Sequence, residues 1–209
     1  MTNANFLAAN GSALLQLLEH HYGLRGELTV LPGELDANLR LRDGDQSWLV
    51  KVAAEDSEPN LIDLQVAALD HIAQHPKCDD ITPRVIRNHT GDYSCELETA
   101  TGTRPVWITT WIEGQLFAQL PHVDENHCHL LGATLGQITL ALSNFSHQNA
   151  KRQLKWDLCQ ASWIERDMDA IEDTQLRHLV TDAYTDFERI ETSLAKVRRG
   201  VIHNDANDY

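Results

Sequence analysis

Two charged side chains, far apart in the sequence, have surroundings typical of catalytic groups. The first is Asp205, which follows two β-branched apolar residues in Val201-Ile-His-Asn-Asp205. This pattern predicts a short buried strand that delivers a carboxylate to a cleft. In His-x-Asp loops that transfer phosphoryl groups, the aspartate orients the substrate hydroxyl, and an asparagine further along binds Mg²⁺. That asparagine would stand one residue beyond Tyr209, the last residue of the sequence. We therefore expect this chain to be a fragment of a longer protein and to lack kinase turnover alone.

The second side chain is Lys51, the only charge in the strand-like segment Trp48-Leu-Val-Lys-Val-Ala53. Strand alternation places Lys51 on one face with Leu49 and Ala53. A lysine held there loses hydration unless it meets an anion, and nucleotide phosphate is such an anion. The alternative is a lysine on an edge strand, whose ammonium group extends to water.

A predicted helix follows this strand, from Pro59 to about His75. An apolar stripe along it carries an amide at its centre, and the members of the stripe are Leu61, Gln65, Ala68 and Ile72. Asp63 and Asp70 are predicted to face solvent. A buried amide needs a hydrogen-bond partner, and Lys51 is the natural candidate. The alternative is that Gln65 lies at the margin of the stripe and bonds to backbone or water.

The elements that must position these groups divide the chain into a β-rich half and a helical half. A helix is predicted over residues 10–22, capped by Asn10 or Ser12 and ended by Gly23, after a loose terminus. The predicted strands are Gly26–Leu31, Ala37–Leu41, Trp48–Ala53, Arg84–Arg87, Tyr93–Glu98 and Val106–Trp111, with a hairpin turn at Asp43-Gly44. Beyond a hinge near Trp111–Gly114, helices are predicted over residues 123–143, 157–172 and 174–197. The fold class is therefore α+β, with a β-rich lobe at residues 1–111 and a helical lobe at residues 112–209.

The composition narrows the partners. A net charge of −14 argues against nucleic acid, which requires a clustered basic face, and favours a small cationic substrate. The sequence has no apolar run of about 20 residues and no secretory signal at its N-terminus, so no membrane partner is expected. The cysteines lack CxxC spacing, which indicates a reducing, cytoplasmic compartment. His127 and His129 would face different sides of a helix, so no metal ligand is assigned.

Together, these segments resemble the aminoglycoside phosphotransferase superfamily, and in particular its hydroxylysine-kinase-like branch, which includes domains at the front of fused aminotransferases. The motifs that carry the resemblance are Leu31–Leu41, Trp48–Val52, Leu61–Leu69, the hinge Thr110–Gly114, Lys155–Leu158 and Val201–Asp205. The resemblance implies a protein-kinase-like two-lobe fold, with an antiparallel sheet, one inserted helix and an incomplete helical lobe. It also implies a kinase that uses ATP or GTP with Mg²⁺ to phosphorylate a hydroxyl on a cationic amino compound. A downstream domain of the same polypeptide is a further partner in this view.

The resemblance also implies roles for individual residues. Asp205 would be the catalytic aspartate, and His203 would brace its loop from behind. Lys51 would hold the nucleotide phosphates, with Gln65 as its helix partner. The remaining residues assigned to the nucleotide site are Asn38, Thr110, Trp111 and Ile112, of which the last three form the hinge that meets the base. Metal ligands are expected beyond residue 209.

Three departures from the family pattern leave a second interpretation open. Gln65 stands where a helix glutamate usually pairs with the lysine, and Asn204 replaces the common glycine of His-Gly-Asp. The phosphate-covering turn has only Gly33, with Glu34 and Asp36 beside it, and carboxylates near a triphosphate repel it unless they point away. This second interpretation is a pseudokinase-type binding or regulatory module of a larger enzyme. A third, separate interpretation is an unrelated α+β domain with a fortuitous His-x-Asp.

Overall fold

The structure is a computed structural model that describes residues 2–55, 57–154, 156–194 and 196–206. Lys155 of the predicted Lys155–Leu158 motif thus lies outside the described residues. The chain divides into two compact units, Met1–His147 with Val201–Tyr209, and Gln148–Gly200. The boundary predicted at residues 111 and 112 falls inside the first unit, because Ile138 and Val201 join a core cluster with Ile72. The predicted two-lobe division stays a prediction.

Helix α1 (Asn3–Tyr22) begins seven residues earlier than the sequence pattern predicts. Thr2 is its N-cap, and the Thr2 hydroxyl accepts a hydrogen bond from the amide of Asn5 at 3.3 Å. The prediction of a loose terminus was wrong, because Phe6 extends the buried face by two turns and is only 2% exposed. The helix ends as predicted at Gly23, whose φ of 69° is left-handed and suits glycine.

Within the described ranges, six antiparallel strands form one sheet in the order β1-β2-β3-β6-β4, with β5 paired to β6. Their bounds are β1 (Glu27–Val30), β2 (Ala37–Asp43), β3 (Gln46–Val52), β4 (Val85–Ile86), β5 (Ser94–Thr99) and β6 (Gly102–Thr110). The predicted hairpin is confirmed, since Asp43 pairs with Gln46 around Gly44, which has a φ of 57°. The strand that carries Lys51, β3, therefore has a neighbour on each side.

The two faces of the sheet pack against different helices. Leu39, Val50 and Ile108 lie on one face and share a buried cluster with α1. Ala53 and Trp107 lie on the opposite face and pack against α2 (Pro59–Ile72). Lys51 alternates with Val50, so it lies on the face that α2 covers.

Helix α2 has a wider and differently centred buried face than predicted. Its buried residues are Ile62, Val66 and Ile72, whereas Leu61 and Gln65 are half-buried. Ile62 and Val66 face the sheet, and Ile72 faces a second cluster with helix α3. The predicted stripe is therefore confirmed at Ala68 and Ile72, but it is wrong by one position in the first turns, where Ile62 and Val66 are buried.

The helical segments after β6 include both α-helices and 3₁₀ turns. Helix α3 (Glu125–Ala141) is capped by Asp124, whose carboxylate accepts from the amide of His127 at 3.0 Å. Within the second unit, α4 (Thr174–Leu194) is helical as predicted, but Leu158–Ala170 forms 3₁₀ turns instead of an α-helix. Gln160 has non-helical backbone angles there (φ −120°, ψ 24°), which interrupts the α-helical bonding. None of the described helices combines the length and apolar character needed to cross a bilayer.

The core on the α1 side makes a direct stability test. Leu39 is 0% exposed, so Leu39→Ala is expected to lower the free energy of unfolding by about 2–5 kcal/mol. Urea denaturation measures this as a lower midpoint at an unchanged slope. The matched control is Leu35→Ala, since Leu35 is 75% exposed and its truncation should stay within about 0.5 kcal/mol. Equal effects of the two variants would contradict the packing described here.

Candidate active site

Lys51 occupies the middle of the sheet. In register, it lies between Asn38 of β2 and Trp107 of β6. Its side chain is 21% exposed, and an edge-strand lysine is excluded because β3 is paired on both sides. The ammonium group is therefore held close to the sheet, where an anionic partner stabilises it.

That partner is Asp36, on the loop between β1 and β2. The Asp36 Oδ2 atom lies 3.5 Å from Lys51 Nζ, and its Oδ1 atom accepts a hydrogen bond from the Ala54 amide at 3.2 Å. The Lys51 Nζ atom also lies 5.6 Å from the centre of the Trp107 ring, within range of a cation–π contact. Lys51 is thus fixed by one carboxylate and one aromatic face.

The predicted partner of Lys51 on α2 does not take this role. Within the described part of the chain, Gln65 makes no hydrogen bond to Lys51. The acids of α2 lie on the solvent side as predicted, with side chains 43% and 44% exposed, and both form ion pairs there. Asp63 pairs with His147 at 3.2 Å, and Asp70 pairs with Arg87. Helix α2 therefore offers packing but no charge to the lysine.

Three buried polar atoms near this face of the sheet have no hydrogen-bond partner among the described residues. They are Asn38 Oδ1, Trp107 Nε1 and Trp111 Nε1. Buried polar atoms are normally satisfied, so a cluster of exceptions needs an explanation. Asn38 and Trp107 flank Lys51 in register, and an acceptor and an N–H donor beside a fixed ammonium group match the mixed polarity of a nucleotide, so these residues fit such a ligand.

The predicted hinge is partly engaged already. The Thr110 amide donates to Arg84 O at 2.8 Å, and Thr110 Oγ1 accepts from the Arg84 amide at 2.9 Å. In the described structure, by contrast, the backbone groups of Trp111 and Ile112 make no hydrogen bond. Of the predicted hinge Thr110–Ile112, only Trp111 and Ile112 therefore have backbone groups available to a ligand.

Arg40 organises the start of this hinge. Its guanidinium group lies 4.3 Å from the centre of the Trp111 ring. The same group donates to Ser47 Oγ at 3.0 and 2.9 Å, and to Glu113 Oε1 at 2.9 Å. Strand β2 is thereby tied to the residues that follow β6.

The terminal segment carries Asp205 in a defined loop. Its predicted buried strand is not formed: Val201 packs against the Ile72 cluster, but Ile202 is 55% exposed. Among the described residues, no strand pairs with this segment, and an unpaired strand has no ladder hydrogen bonds to stabilise it. The Asp205 amide donates to His203 Nδ1 at 3.3 Å, so the imidazole supports the loop from within.

Asn204 explains one departure noted in the sequence. Its φ of 58° is the only positive φ of a non-glycine residue in the described chain. Asparagine tolerates this left-handed conformation better than most residues, because its short side chain bonds locally. Asn204 therefore adopts a left-handed conformation that glycine, the common residue of this motif, would also adopt.

Lys51 and Asp205 belong to the same compact unit. Helix α2 links their surroundings, because Val66 packs on the Lys51 side of the sheet and Ile72 contacts the cluster that includes Val201. Two residues of the Lys51 site were not assigned from the sequence. From the sequence, Asp36 is expected only to repel phosphate, and Trp107 is expected only to lie in a strand.

Comparison with known proteins agrees with this architecture. The sequence model of the phosphotransferase enzyme family (APH) matches residues 27–208. Among solved structures, amicoumacin kinase hAmiN in complex with AMP-PNP, Ca²⁺ and Ami is similar over 95% of this chain, with a TM-score of 0.61 and 13% identity. Spectinomycin phosphotransferase APH(9)-Ia in complex with ADP and spectinomycin is similar over 94%, with a TM-score of 0.52 and 14% identity. A microcompartment-associated aminopropanol kinase is similar over 70%, with a TM-score of 0.51 and 19% identity.

The chain spans 57%, 63% and 45% of the lengths of these three proteins, respectively. At such identities the likeness shows the fold, and it confirms the predicted kinase-like α+β class. A search of curated protein sequences finds no significant match.

Proposed function

This chain belongs to the phosphotransferase enzyme family, and on that premise we propose that it binds a nucleoside triphosphate and phosphorylates a hydroxyl of a small cationic amino compound. The family match removes the alternative of an unrelated α+β domain. The observation that carries the proposal is the Lys51 site: a fixed ammonium group on a central strand, bordered by Asn38 and Trp107 with unsatisfied buried polar atoms.

Phosphoryl transfer requires mainly positioning and charge neutralisation from the protein. Lys51 supplies a fixed cation for the phosphates of ATP or GTP. Trp111 and Ile112 present backbone groups to the base, and Arg40 holds Trp111 in place. A divalent cation such as Mg²⁺ supplies the remaining neutralisation when it is bound. Among the described residues, no group of three or more His, Cys, Asp or Glu forms a metal site.

Asp205 orients the acceptor hydroxyl and accepts its proton. It must be ionised and reach within about 2.6–3.2 Å of that hydroxyl. His203 and Asn204 set the backbone that presents the carboxylate, by the contact to the Asp205 amide and by the left-handed φ. These two residues are therefore positioning residues for Asp205.

The acceptor class follows from charge. A net charge of −14 attracts cations and repels anionic acceptors. Two of the similar structures contain spectinomycin and Ami, and the third is an aminopropanol kinase. A hydroxylated amine, hydroxylysine-like or aminoglycoside-like, is the acceptor that we propose. All four cysteines are free thiols, which suits the reducing cytoplasm as the site of reaction.

Nucleotide binding is the first test. In the full-length product of the gene, ATP or GTP with Mg²⁺ at a hundredfold excess over Kd should add about 2.7 kcal/mol of stability, or about 5–10 °C in melting temperature. Differential scanning fluorimetry measures the shift. The matching nucleoside, which has no phosphates for Lys51, should give a much smaller shift. A flat melting curve with both nucleotides would favour the pseudokinase-type binding module, and a mass increase on a hydroxylated amine would establish the kinase.

A further inference from the structure

The carboxylate that holds Lys51 comes from a loop and not from a helix. The geometry points to Asp36 as the residue that positions Lys51 for nucleotide binding, in the place that an acid of α2 would otherwise take. This inference rests on the proposed function of the site. It assigns to Asp36 a favourable role, whereas a carboxylate beside a triphosphate would by itself be repulsive.

Helix α2 cannot supply the countercharge. Gln65 is neutral, and the two acids of the helix are committed to His147 and Arg87. A lysine that is only 21% exposed needs a nearby anion to remain in a defined position. In the described structure, Asp36 is the carboxylate within salt-bridge distance of it, at 3.5 Å.

Asp36 is itself held in place before any ligand arrives. Its second carboxylate oxygen accepts from the Ala54 amide just after β3. The loop is closed by the bond from the Leu31 amide to Asn38 O at 2.9 Å and by the bond from Asn38 Nδ2 to Pro32 O at 3.3 Å. A side chain at Gly33 would meet Asn38 Nδ2 and Asp36 O at 2.7 Å, so the turn is tightly packed. Such a loop fixes the carboxylate against the strand that carries the lysine.

A second cation limits the repulsion that Asp36 exerts. Arg104 donates to Ala53 O at 2.6 Å, beside the strand end that Asp36 contacts. Burial lowers the pKa of Arg104, and the negative charges of Glu55 and Asp36 act against that lowering. The Asp36 carboxylate is therefore paired with Lys51 and lies within the electrostatic influence of Arg104, which lessens the repulsion that phosphates meet.

The test compares two loop acids by calorimetric titration of Mg²⁺–ADP into the full-length protein. Asp36→Asn is expected to weaken binding about tenfold, as for the loss of charge on one partner of a half-buried ion pair. Asp45→Asn makes the same change in the exposed turn between β2 and β3. Asp45 makes no ion pair within the described ranges, so this control should change affinity less than about twofold. Unchanged or tighter binding by Asp36→Asn would overturn the inference, because it would make the carboxylate a competitor of phosphate.

A Lys51→Met background separates positioning from loop packing. If Asp36 acts through Lys51, then Asp36→Asn adds no further weakening once the lysine is gone. A further tenfold loss in that background would assign Asp36 to the loop alone and would also overturn the inference.

If the wild-type protein binds no nucleotide, the proposed function is contradicted. The ion pair between Asp36 and Lys51 would then be tested by melting temperatures. Asp36→Asn and Lys51→Met should each lower the melting temperature. The double variant should melt no lower than the less stable of the two single variants. Additive lowering would reject the role of Asp36.

Discussion

Asp205→Asn is expected to reduce kcat by about 10²–10⁴-fold, the usual contribution of a positioned general base. The amide cannot accept the proton of the acceptor hydroxyl, and it lacks the charge that orients that hydroxyl. The nucleotide phosphates are assigned to Lys51, so the affinity for Mg²⁺–ADP should stay within about threefold. A coupled assay of nucleoside diphosphate release, run in the full-length protein with a hydroxylated amine, measures kcat.

The control for this variant is Asp182→Asn, which removes the same charge from an exposed position on α4. It should leave both kcat and nucleotide affinity unchanged. If Asp205→Asn retains more than a tenth of wild-type kcat, the terminal His-x-Asp loop is not the catalytic loop. If it loses nucleotide affinity and kcat together, the loop acts by structure and not by proton transfer.

The hairpin that contains Lys51 could be predicted in detail because its register is local. Once the Asp43-Gly44 turn pairs Asp43 with Gln46, counting back along both strands places Asn38 opposite Lys51. The role of Asp36 could not be counted in this way. It lies before β2, in a loop whose path depends on bonds to Ala54 and on packing around Gly33.

Errors in the helices have physical causes of a different kind. The start of α1 is not evident from the pattern because residues 8–13, between Leu7 and Leu14, are all small or polar and hide the buried face that begins at Phe6. In α2 the predicted stripe is right at Ala68 and Ile72 but one position off in the first turns, where Ile62 and Val66 are buried. A single hydrophobic stripe assumes one packing partner, whereas Ile62 and Ile72 contact different clusters.

The position of Trp107 in the candidate site also depends on tertiary contacts. Trp107 reaches Lys51 through the pairing of β3 with β6, two strands that are separated by a helix and two further strands. That pairing is not encoded by any turn, so sequence periodicity alone could not place the indole beside the lysine. The left-handed backbone of Asn204, in contrast, follows from residue type at a position where the family commonly has glycine.

Lys51→Met should affect nucleotide binding, whereas Asp205→Asn affects the catalytic step. It removes the cation assigned to the phosphates and leaves Asp36, 23% exposed, without its 3.5 Å partner. Loss of the interactions between this cation and the phosphates should cost about 3–4 kcal/mol of binding free energy, which corresponds to a loss of about 10²–10³-fold in affinity for Mg²⁺–ADP. Lys51→Arg should not fully restore binding, because the planar guanidinium group doesn't reproduce the compact ammonium group between Asp36 and Trp107.

Lys77→Met is the matched control, since Lys77 is exposed and its loss should change affinity less than about twofold. The contrast between the two catalytic variants is the decisive result. Lys51→Met should act on nucleotide affinity, and Asp205→Asn should act on kcat at an unchanged affinity. A Lys51→Met protein that binds Mg²⁺–ADP as tightly as the wild type would contradict the phosphate assignment. Because the half-buried Asp36 then lacks its ion-pair partner, Asp36→Asn in the same chain should recover part of the lost stability.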